Sequence, residues 1–266
     1  MDFPLSRQIA PGLTFVTETG STNADLVTNY ANTDDFTVLV AGFQSAGRGR
    51  AGRDWLAPAG SSLFVSVLLK PAGVPAERFS WLPLLSGLAM ANAVTRFLPD
   101  KEVSLKWPND VLVGDQKISG VLSELLPDIS GVVVGAGLNV LQAKSELPIE
   151  TATSISIESG QSIELDQVLA AYLEQLKELY VAWVSSLGDA DLSGLRTKVL
   201  AACSSLGTTK GSRFGNSRVR VILPGDQEVL GNALGIDETG RLQVQAEGGK
   251  ELIAVAAGDI VHLRHN

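Results

Sequence analysis

The chain has 266 residues, of which 45% are hydrophobic and 19% are charged, a balance typical of a soluble globular protein. Its formal net charge of −8 makes the surface as a whole repel nucleic acid, so binding DNA or RNA would need a local basic patch. Cys203 is the only cysteine, which excludes an intrachain disulfide and a thiolate metal cluster. The two histidines, His262 and His265, lie at the C-terminal end, so we expect neither a histidine triad nor a histidine metal site.

The apolar segments of the sequence are short. The N-terminal residues MDFPLSRQIAPG contain no apolar signal core, and stretches such as LFVSVLL are too short to span a bilayer. We therefore expect a cytoplasmic protein with no membrane partner.

Two helices and a larger number of strands are predicted over the first 140 residues. LTFVTET predicts a strand, and STNADLVTNYA predicts a helix whose first turn Ser21, Thr22 or Asn23 can cap. The apolar stripe of ERFSWLPLLSGLAMANAVTRFL predicts a helix that tolerates Pro83 only near its first turn. Further β segments are predicted at FTVLVAGF, SSLFVSVLLK, VSLKW, DVLVGD, KISGVLSEL and GVVVGAGLNV, with a hairpin turn at VGDQK.

The pattern changes near Gly207. Before it, DQVLAAYLEQLKELYVAWVSSL and DLSGLRTKVLAAC predict amphipathic helices. After it, five short strands with turns follow within about sixty residues, which is typical of a small barrel. We therefore place a domain boundary at this point.

The segment GRGRAGRDW, Gly47–Trp55, carries three glycines and three arginines in an otherwise acidic chain, and is called the glycine–arginine loop below. Glycines let backbone N–H groups approach a ligand closely, and arginines supply planar donors suited to carboxylate or phosphate. By residue types alone, the loop is either such an anion-binding loop or a solvated basic turn. A repeated RNA-binding arginine–glycine segment is a weaker alternative, because this one is a single island.

Three further motifs have both structural and functional interpretations. In KWPND, residues 106–110, Pro108 restricts the chain and would present polar side chains rigidly, although a simple Pro-Asn turn explains the motif as well. Lys117, taken alone, is an exposed hairpin lysine, and STN, residues 21–23, is a helix cap. GAGLNV lacks the third glycine of a dinucleotide fingerprint, and the sequence contains no phosphate loop of the G-x-x-x-x-G-K-[ST] type.

In combination these motifs indicate a family. STN, QSAGRGRAGRDW, KWPNDVLVGDQKISGVLSE and GAGLNV, in this order and spacing, resemble the biotin–protein ligases over most of residues 14–140. The segments SRVRVILP, GIDETGRLQV and AAGDIVHL are similar to that family's small C-terminal barrel. The resemblance implies an α+β fold. Residues 1–206 would form a mixed β-sheet catalytic domain flanked by helices and similar to class II synthetases, and residues 207–266 an SH3-like β-barrel.

The resemblance also implies a two-step reaction. The family makes biotinyl-5′-adenylate from biotin and Mg-ATP, then passes the biotin to one lysine of a biotin carboxyl carrier domain of a carboxylase. Biotin and ATP would be the substrates and Mg²⁺ the cofactor. The resemblance leaves open whether the protein forms a homodimer. Neither step requires a protein nucleophile, whereas both need fixed positive charge and positioning.

Site residues follow from the family pattern. The biotin-contact positions are matched by Ser21, Thr22, Asn23, Gln44, Arg48, Gly49, Arg50 and Lys117. The catalytic positions are matched by Lys117, Arg50 and Arg48. The positions near ATP and the adenylate are matched by Lys106, Trp107, Asn109, Asp110 and Asn139, with Asp110 also the candidate Mg²⁺ ligand. The segment LQAKSELPIETATSI lies where the family has an adenine-covering segment.

One departure from the family bears on nucleic-acid binding. Regulatory members carry an N-terminal helix-turn-helix domain, but here STN begins at residue 21 and leaves no room for it. We therefore expect the ligase-only class, with no nucleic-acid partner. The alternatives in activity are a lipoate or octanoate ligase and a non-catalytic biotin-binding sensor.

Overall fold

The computed structural model describes residues 1–203, 217–223, 227–249, 251–256 and 259–262, and for Ser217 and residues 259–262 it describes the backbone alone. The predicted boundary near Gly207 and the side chains of both histidines lie outside the described part. Six α-helices occur in the described ranges: α1 Pro4–Ile9, α2 Thr22–Asn29, α3 Leu82–Phe97, α4 Ile155–Ser159, α5 Leu165–Ser185 and α6 Leu195–Ala202.

A seven-stranded mixed sheet forms the centre of the larger domain. Its strands are β1 Thr14–Val16, β2 Thr37–Ala41, β3 Ser62–Leu69, β4 Val103–Lys106, β5 Asp110–Val113, β6 Gln116–Leu125 and β7 Val132–Asn139. Their order is β1-β2-β3-β7-β6-β5-β4. Only the β1–β2 pair is parallel among these neighbours, and the other pairs are antiparallel. The mixed sheet flanked by helices that was expected from the sequence is confirmed.

The two faces of the sheet are covered differently, because successive residues of a strand point to opposite faces. On β3, Val65 and Val67 belong to the main core, where α3 and α5 also pack. Leu68 belongs to a second, smaller core with Leu26 of α2. Ser66, which alternates with Val65 and Val67, contacts the side chains at the start of α2. The α2 face therefore keeps polar groups that the main core excludes.

The predicted long helices pack against each other under the sheet. A 3₁₀ segment, Ala76–Trp81, leads into α3, and Pro83 lies in the first turn of α3, where its missing N–H has no intrahelical partner to lose. Between α3 and α5, the Ser86 and Tyr172 hydroxyls form a buried hydrogen bond of 2.9 Å. Burial raises the pKa of Tyr172 to about 12, although the hydrogen bond from Ser86 acts in the opposite direction. Within the described ranges, the helices are all too short or too polar to cross a membrane.

The C-terminal domain is a second, antiparallel sheet. Its five strands are β8 Ser217–Ile222, β9 Glu228–Ile236, β10 Leu242–Ala246, β11 Leu252–Val255 and β12 Asp259–His262, in the order β11-β10-β9-β8-β12. The five short strands expected for the small barrel are therefore confirmed. Its buried interior includes Val219, Val221, Ala233 and Val244. This domain meets the larger one where the β9–β10 turn lies against Trp81 and Trp107.

Candidate functional site

A cleft of about 560 Å³ opens on the α2 face of the large sheet. It brings together twelve of the thirteen residues that the sequence predicts for the site: Ser21, Thr22, Asn23, Gln44, Arg48, Gly49, Arg50, Lys106, Asn109, Asp110, Lys117 and Asn139. These residues come from α2, two loops and the facing ends of four strands, so only the fold makes them neighbours. Their individual roles stay predictions.

Trp107 is the predicted residue that the structure places elsewhere. Its side chain is 2% exposed and belongs to the main hydrophobic core. Its Nε1 donates a hydrogen bond of 3.3 Å to the Gly240 carbonyl of the C-terminal domain. Trp107 therefore lies behind the cleft, in the wall of a second cavity between the two domains.

A chain of hydrogen bonds forms the polar floor of the cleft. The Ser21 side chain caps α2, as the sequence predicts, and Gln44 Oε1 accepts from both the N–H (2.8 Å) and the hydroxyl (3.0 Å) of Thr22. The Thr22 hydroxyl lies 2.6 Å from Ser66 Oγ, which donates to Asn23 Oδ1 at 2.6 Å. These side chains are at most 9% exposed. The floor is therefore a pre-oriented set of donors and acceptors suited to a compact polar ring.

Asn23 is oriented from the opposite side as well. Its Nδ2 donates to the Leu122 carbonyl at 3.1 Å and to Glu124 Oε1 at 3.0 Å. The backbone of Gly135 runs so close to the Asn23 amide that a Cβ at residue 135 would collide with it. The first glycine of GAGLNV therefore provides the space that the Asn23 amide occupies.

The glycine–arginine loop is closed by its own backbone. Gly49 N donates to the Arg53 carbonyl at 2.6 Å, and Trp55 N donates to the Gly47 carbonyl at 2.9 Å. Ala51, at its tip, has a φ of 54°, in the left-handed region that an alanine rarely adopts. This tight turn directs Arg48 and Arg50 toward the cleft.

Arg50 is connected to the KWPND motif. Its Nη1 donates to Asn109 Oδ1 at 3.1 Å. Asn109 in turn donates its Nδ2 to the Val121 carbonyl at 2.7 Å, and its backbone carbonyl accepts from the Val121 N–H at 2.9 Å. The Asn109 side chain therefore ties the arginine to strand β6, where Lys117 also lies.

Lys117 is a cleft residue and not a solvated hairpin lysine. Its Nζ lies 2.7 Å from Asp110 Oδ1, and the two side chains are 27% and 24% exposed. The same ammonium lies 5.4 Å from the ring centre of Trp55, within the range of a cation–π contact. The Trp55 ring fits because residue 137 is glycine; a Cβ there would lie 2.5 Å from the ring.

The predicted adenine-covering segment pairs with the backbone of Lys117. Lys117 N donates to the Thr151 carbonyl at 2.8 Å, and Thr153 N donates to the Lys117 carbonyl at 2.9 Å. Lys144 Nζ closes the segment on itself by donating to the Ala152 carbonyl at 2.9 Å. The catalytic candidate is therefore held on both sides, by β5 and by this segment.

Asn139 lies at the inner end of the same segment. Its Nδ2 donates to the Thr153 carbonyl at 3.0 Å, its Oδ1 accepts from Gln142 Nε2 at 3.1 Å, and its side chain is buried. Its position supports a role in shaping the cleft.

The charge in the cleft is opposite to that of the chain. Five cationic side chains line it: Arg48, Arg50, Arg53, Lys106 and Lys117. Three carboxylates also line it: Asp54, Asp110 and Asp115. A chain with a net charge of −8 therefore concentrates an excess of positive charge at this site, which suits an anionic ligand.

Comparison with known proteins agrees with this geometry. Residues 14–139 match the biotin/lipoate A/B protein ligase family, and residues 214–263 match the biotin protein ligase C-terminal domain. The biotin–[acetyl-CoA-carboxylase] ligase of Mycobacterium tuberculosis is 38% identical over 95% of this chain and 89% of its own length. The chain belongs to the biotin protein ligases.

Two further relatives show the same family. The bifunctional ligase/repressor BirA of Escherichia coli is 31% identical over 86% of this chain and 67% of its own length. The solved biotin protein ligase from Aquifex aeolicus, in complex with biotin and ATP, is 29% identical. It superposes with a TM-score of 0.76 over 95% of this chain and 99% of that one. The match covers both domains of the ligase fold.

The cleft fits an Mg²⁺ ion that is held mainly by its substrate. No group of three or more potential ligating side chains occurs in the part of the chain that the structure describes. Mg²⁺ commonly binds through one or two carboxylates together with substrate phosphates and water. Asp110, with its carboxylate at the edge of the cleft, fits that pattern, and Asp115 is the other nearby candidate.

Two side chains illustrate what the sequence-based set misses: Trp55 lines the ligase cleft, and Ser66 hydrogen-bonds to the residues of its polar floor. Trp55 ends the quoted loop, but its place against Gly137 is not visible in the sequence, because the two residues lie in separate segments. Ser66 sits in the middle of an apolar strand, and a single small polar residue there is an ordinary occurrence. A polar residue at the alternating, α2-facing position of β3 is the signal that could have identified it.

Proposed function

We propose that this chain is an ATP-dependent biotin–protein ligase that uses the cleft for both half-reactions. In the first, a biotin carboxylate oxygen attacks the α-phosphorus of ATP, pyrophosphate leaves, and biotinyl-5′-adenylate forms. In the second, a carrier lysine amine attacks the acyl carbon of the adenylate, and AMP leaves as the amide bond forms. The observation that carries this proposal is the convergence of a polar floor, two loop arginines and a lysine–carboxylate pair in one positively charged cleft.

The polar floor is suited to the ureido ring of biotin. That ring presents one carbonyl acceptor and two N–H donors, and Thr22, Asn23 and Gln44 provide both kinds of partner within a buried network. The hydrogen bonds among these side chains hold their orientations before ligand arrives, which lowers the entropy lost on binding. A lipoyl group carries no such polar ring, so it would form none of these hydrogen bonds with the floor and should bind less well.

The cations at the other end of the cleft are suited to the reacting groups. Both half-reactions develop negative charge, first on the phosphate and then on a tetrahedral oxyanion. Lys117 is the candidate to stabilise both, because its ammonium lies beside Asp110 at the point where the glycine–arginine loop and β6 approach. Arg48 and Arg50 are the candidates to bind the carboxylate and then the adenylate phosphate. Mg²⁺, when bound through phosphate oxygens and Asp110, supplies further neutralisation of the triphosphate.

The finer assignments also belong to the proposal. The protein substrate is the biotin carboxyl carrier domain of a carboxylase, residues 1–206 form the catalytic domain, and residues 207–266 form the barrel. We place the reaction in the cytoplasm, which agrees with the presence of a single cysteine, Cys203, in the sequence. The absence of nucleic-acid binding stays a prediction of the sequence, which leaves a homodimer open.

The test is a pair of assays on the whole chain. Biotin-dependent exchange of labelled pyrophosphate into ATP reports the first step, and transfer of labelled biotin to a purified carrier domain reports the second. We expect both activities with biotin and neither with lipoate. Activity with lipoate would indicate a lipoate ligase, and biotin binding without pyrophosphate exchange would indicate a sensor; either result would reject the proposal.

A further inference from the structure

The turn between β9 and β10, residues 237–241, is attached to the larger domain by two buried tryptophans. Trp81 is 0% exposed, and its Nε1 donates to the Glu238 carbonyl at 2.8 Å. The 3.3 Å bond from Trp107 to the Gly240 carbonyl is the second attachment. A buried indole N–H that loses its acceptor destabilises the fold, so both contacts hold the turn in place.

Asp237 makes this turn rigid. Its carboxylate accepts from the Thr239 N–H (2.9 Å) and hydroxyl (2.8 Å), and from the Arg241 N–H (3.0 Å) and Nε (2.8 Å). The carbonyl of Thr239 also accepts a hydrogen bond from the Ser80 hydroxyl of the larger domain. The turn therefore presents three consecutive carbonyls in a defined arrangement to one surface.

Trp107 connects that surface to the cleft. It is followed, two and three residues later, by Asn109 and Asp110, the partners of the two candidate cations. Asn109 Oδ1 accepts from Arg50, and Asp110 is paired with Lys117. The second cavity, lined by Arg50, Trp107, Asn109 and Gly240 among others, lies directly along this route.

We infer that Trp107 is a positioning residue through which the C-terminal domain orients Arg50 and Lys117. Its indole, anchored on the Gly240 carbonyl, sets the position of the KWPND turn, and Asn109 and Asp110 set the two cations. This inference rests on the proposed function and deepens it, because it gives Trp107 a role that needs no contact with ATP. Misplacing a reacting group by about 1 Å can slow a reaction by about 10²-fold, so a small shift of the turn should be visible in the rate.

The experiment compares Trp107→Phe with Trp81→Phe in the full chain. Both substitutions remove one indole N–H from the same turn and a similar volume from the same interface, but only the first touches the KWPND motif. The measurements are kcat and KM for ATP in biotin-dependent pyrophosphate exchange, biotin affinity by titration, and thermal unfolding. A merely structural role predicts similar changes in both variants.

We expect Trp107→Phe to lower kcat/KM for ATP by about 10- to 100-fold while biotin affinity stays near that of the wild type. Trp81→Phe should lose comparable thermal stability but lower kcat/KM far less, because its acceptor is the Glu238 carbonyl and not the Gly240 carbonyl that anchors Trp107. Equal kinetic effects in the two variants, or none in either, would overturn the inference.

A variant on the other side of the contact covers the case in which Trp107→Phe does not fold. Asp237→Asn keeps the shape of the side chain and removes its charge pair with Arg241, and the change lies outside the cleft. It should reproduce the selective fall in kcat/KM for ATP, and an unchanged value in the folded variant would overturn the inference. An inactive wild-type chain would instead reject the proposed function, so the two failures are distinguishable.

Discussion

The most specific prediction for a single side chain concerns Lys117 and the rates of the two half-reactions. Replacing it with alanine removes an ammonium placed to stabilise the negative charge of both half-reactions, so the rate of each should fall by about 10²–10³-fold. Lys117→Arg should restore only part of the rate, because the guanidinium is larger and places its donors differently. Single-turnover kinetics of adenylate formation, and separately of transfer from purified adenylate, measure the two steps.

The matched control for Lys117 is Lys101→Ala. Lys101 forms a partly exposed ion pair with Glu158, away from the cleft. Its loss should leave both rates unchanged and alter stability by no more than about 0.5 kcal/mol. Near wild-type rates in Lys117→Ala, in a protein that folds normally, would leave Arg48 and Arg50 as the remaining catalytic candidates.

Arg50 should control retention of the reactive intermediate. Arg50→Gly removes a charged hydrogen-bond donor from the adenylate and leaves Asn109 Oδ1 without this partner, at a cost of about 1.5–3 kcal/mol in adenylate binding. The variant should still form adenylate but release it, and the released anhydride should label lysines of unrelated proteins. Arg50→Lys, which keeps the charge, should release less. Tight retention and unchanged carrier specificity in Arg50→Gly would contradict this assignment.

The sequence identifies which residues form the site better than it predicts the contacts between them. Twelve predicted residues do line one cleft. They could be identified because their motifs carry unusual combinations of glycine, arginine and amide side chains. The contacts of Trp55 depend on the absence of a Cβ at Gly120 and Gly137, which the pairing of β6 and β7 places side by side under its ring. Trp107, predicted near ATP because it belongs to KWPND, is separated from its neighbours by the direction of its side chain. The direction of a side chain at a turn depends on how the folded chain packs, so the motif alone could not predict it.

At the scale of elements, the β9–β10 turn should weaken in acid. Burial raises the pKa of Asp237, but the hydrogen bonds from Arg241 and Thr239 outweigh it and hold the pKa below its ordinary value. A carboxylate with a lowered pKa stabilises the fold above the ordinary value of about 4, and this contribution is lost as the pH falls through the lowered pKa. Asp237→Asn has no such charge at any pH.

Urea unfolding of the wild type and Asp237→Asn at several pH values tests this expectation. The difference between their free energies of unfolding should be largest near neutral pH and should shrink below about pH 4. Arg241→Ala is a useful companion, because it removes one of the hydrogen bonds that lower the pKa and should reduce the same difference. A difference that stays constant with pH would show that the charge of Asp237 does not stabilise the turn.

The elements themselves were largely predictable, because hydrophobic periodicity is local. The fully buried β3 and the amphipathic α5 follow directly from their patterns, and Pro83 marks the start of α3. The order of the strands was not predictable in the same way. β3 pairs with β7, which is more than sixty residues away in sequence, and only that pairing brings Gly135 against Asn23.

At the scale of the whole molecule, the two domains should contribute to different steps. None of the residues that line the main cleft belongs to the described part of the C-terminal domain. A chain ending at residue 205 should therefore keep measurable biotin affinity, whereas its adenylate formation should fall, because Trp107 loses its anchor. Titration with biotin, pyrophosphate exchange and circular dichroism melting measure the three quantities. Selective loss of biotin binding with an intact melting transition would contradict this division of roles.

The separation along the chain between the cleft and its anchor also has a consequence during synthesis. The cleft is complete in sequence once Ala152 has been made, but the Gly240 carbonyl that holds Trp107 emerges much later. At about 5–20 residues per second, the ribosome needs several seconds to add the intervening residues. If domains fold as they emerge, a nascent chain would bind biotin before it could activate it efficiently. An unfinished enzyme would then be protected from making a reactive adenylate that it could not yet deliver.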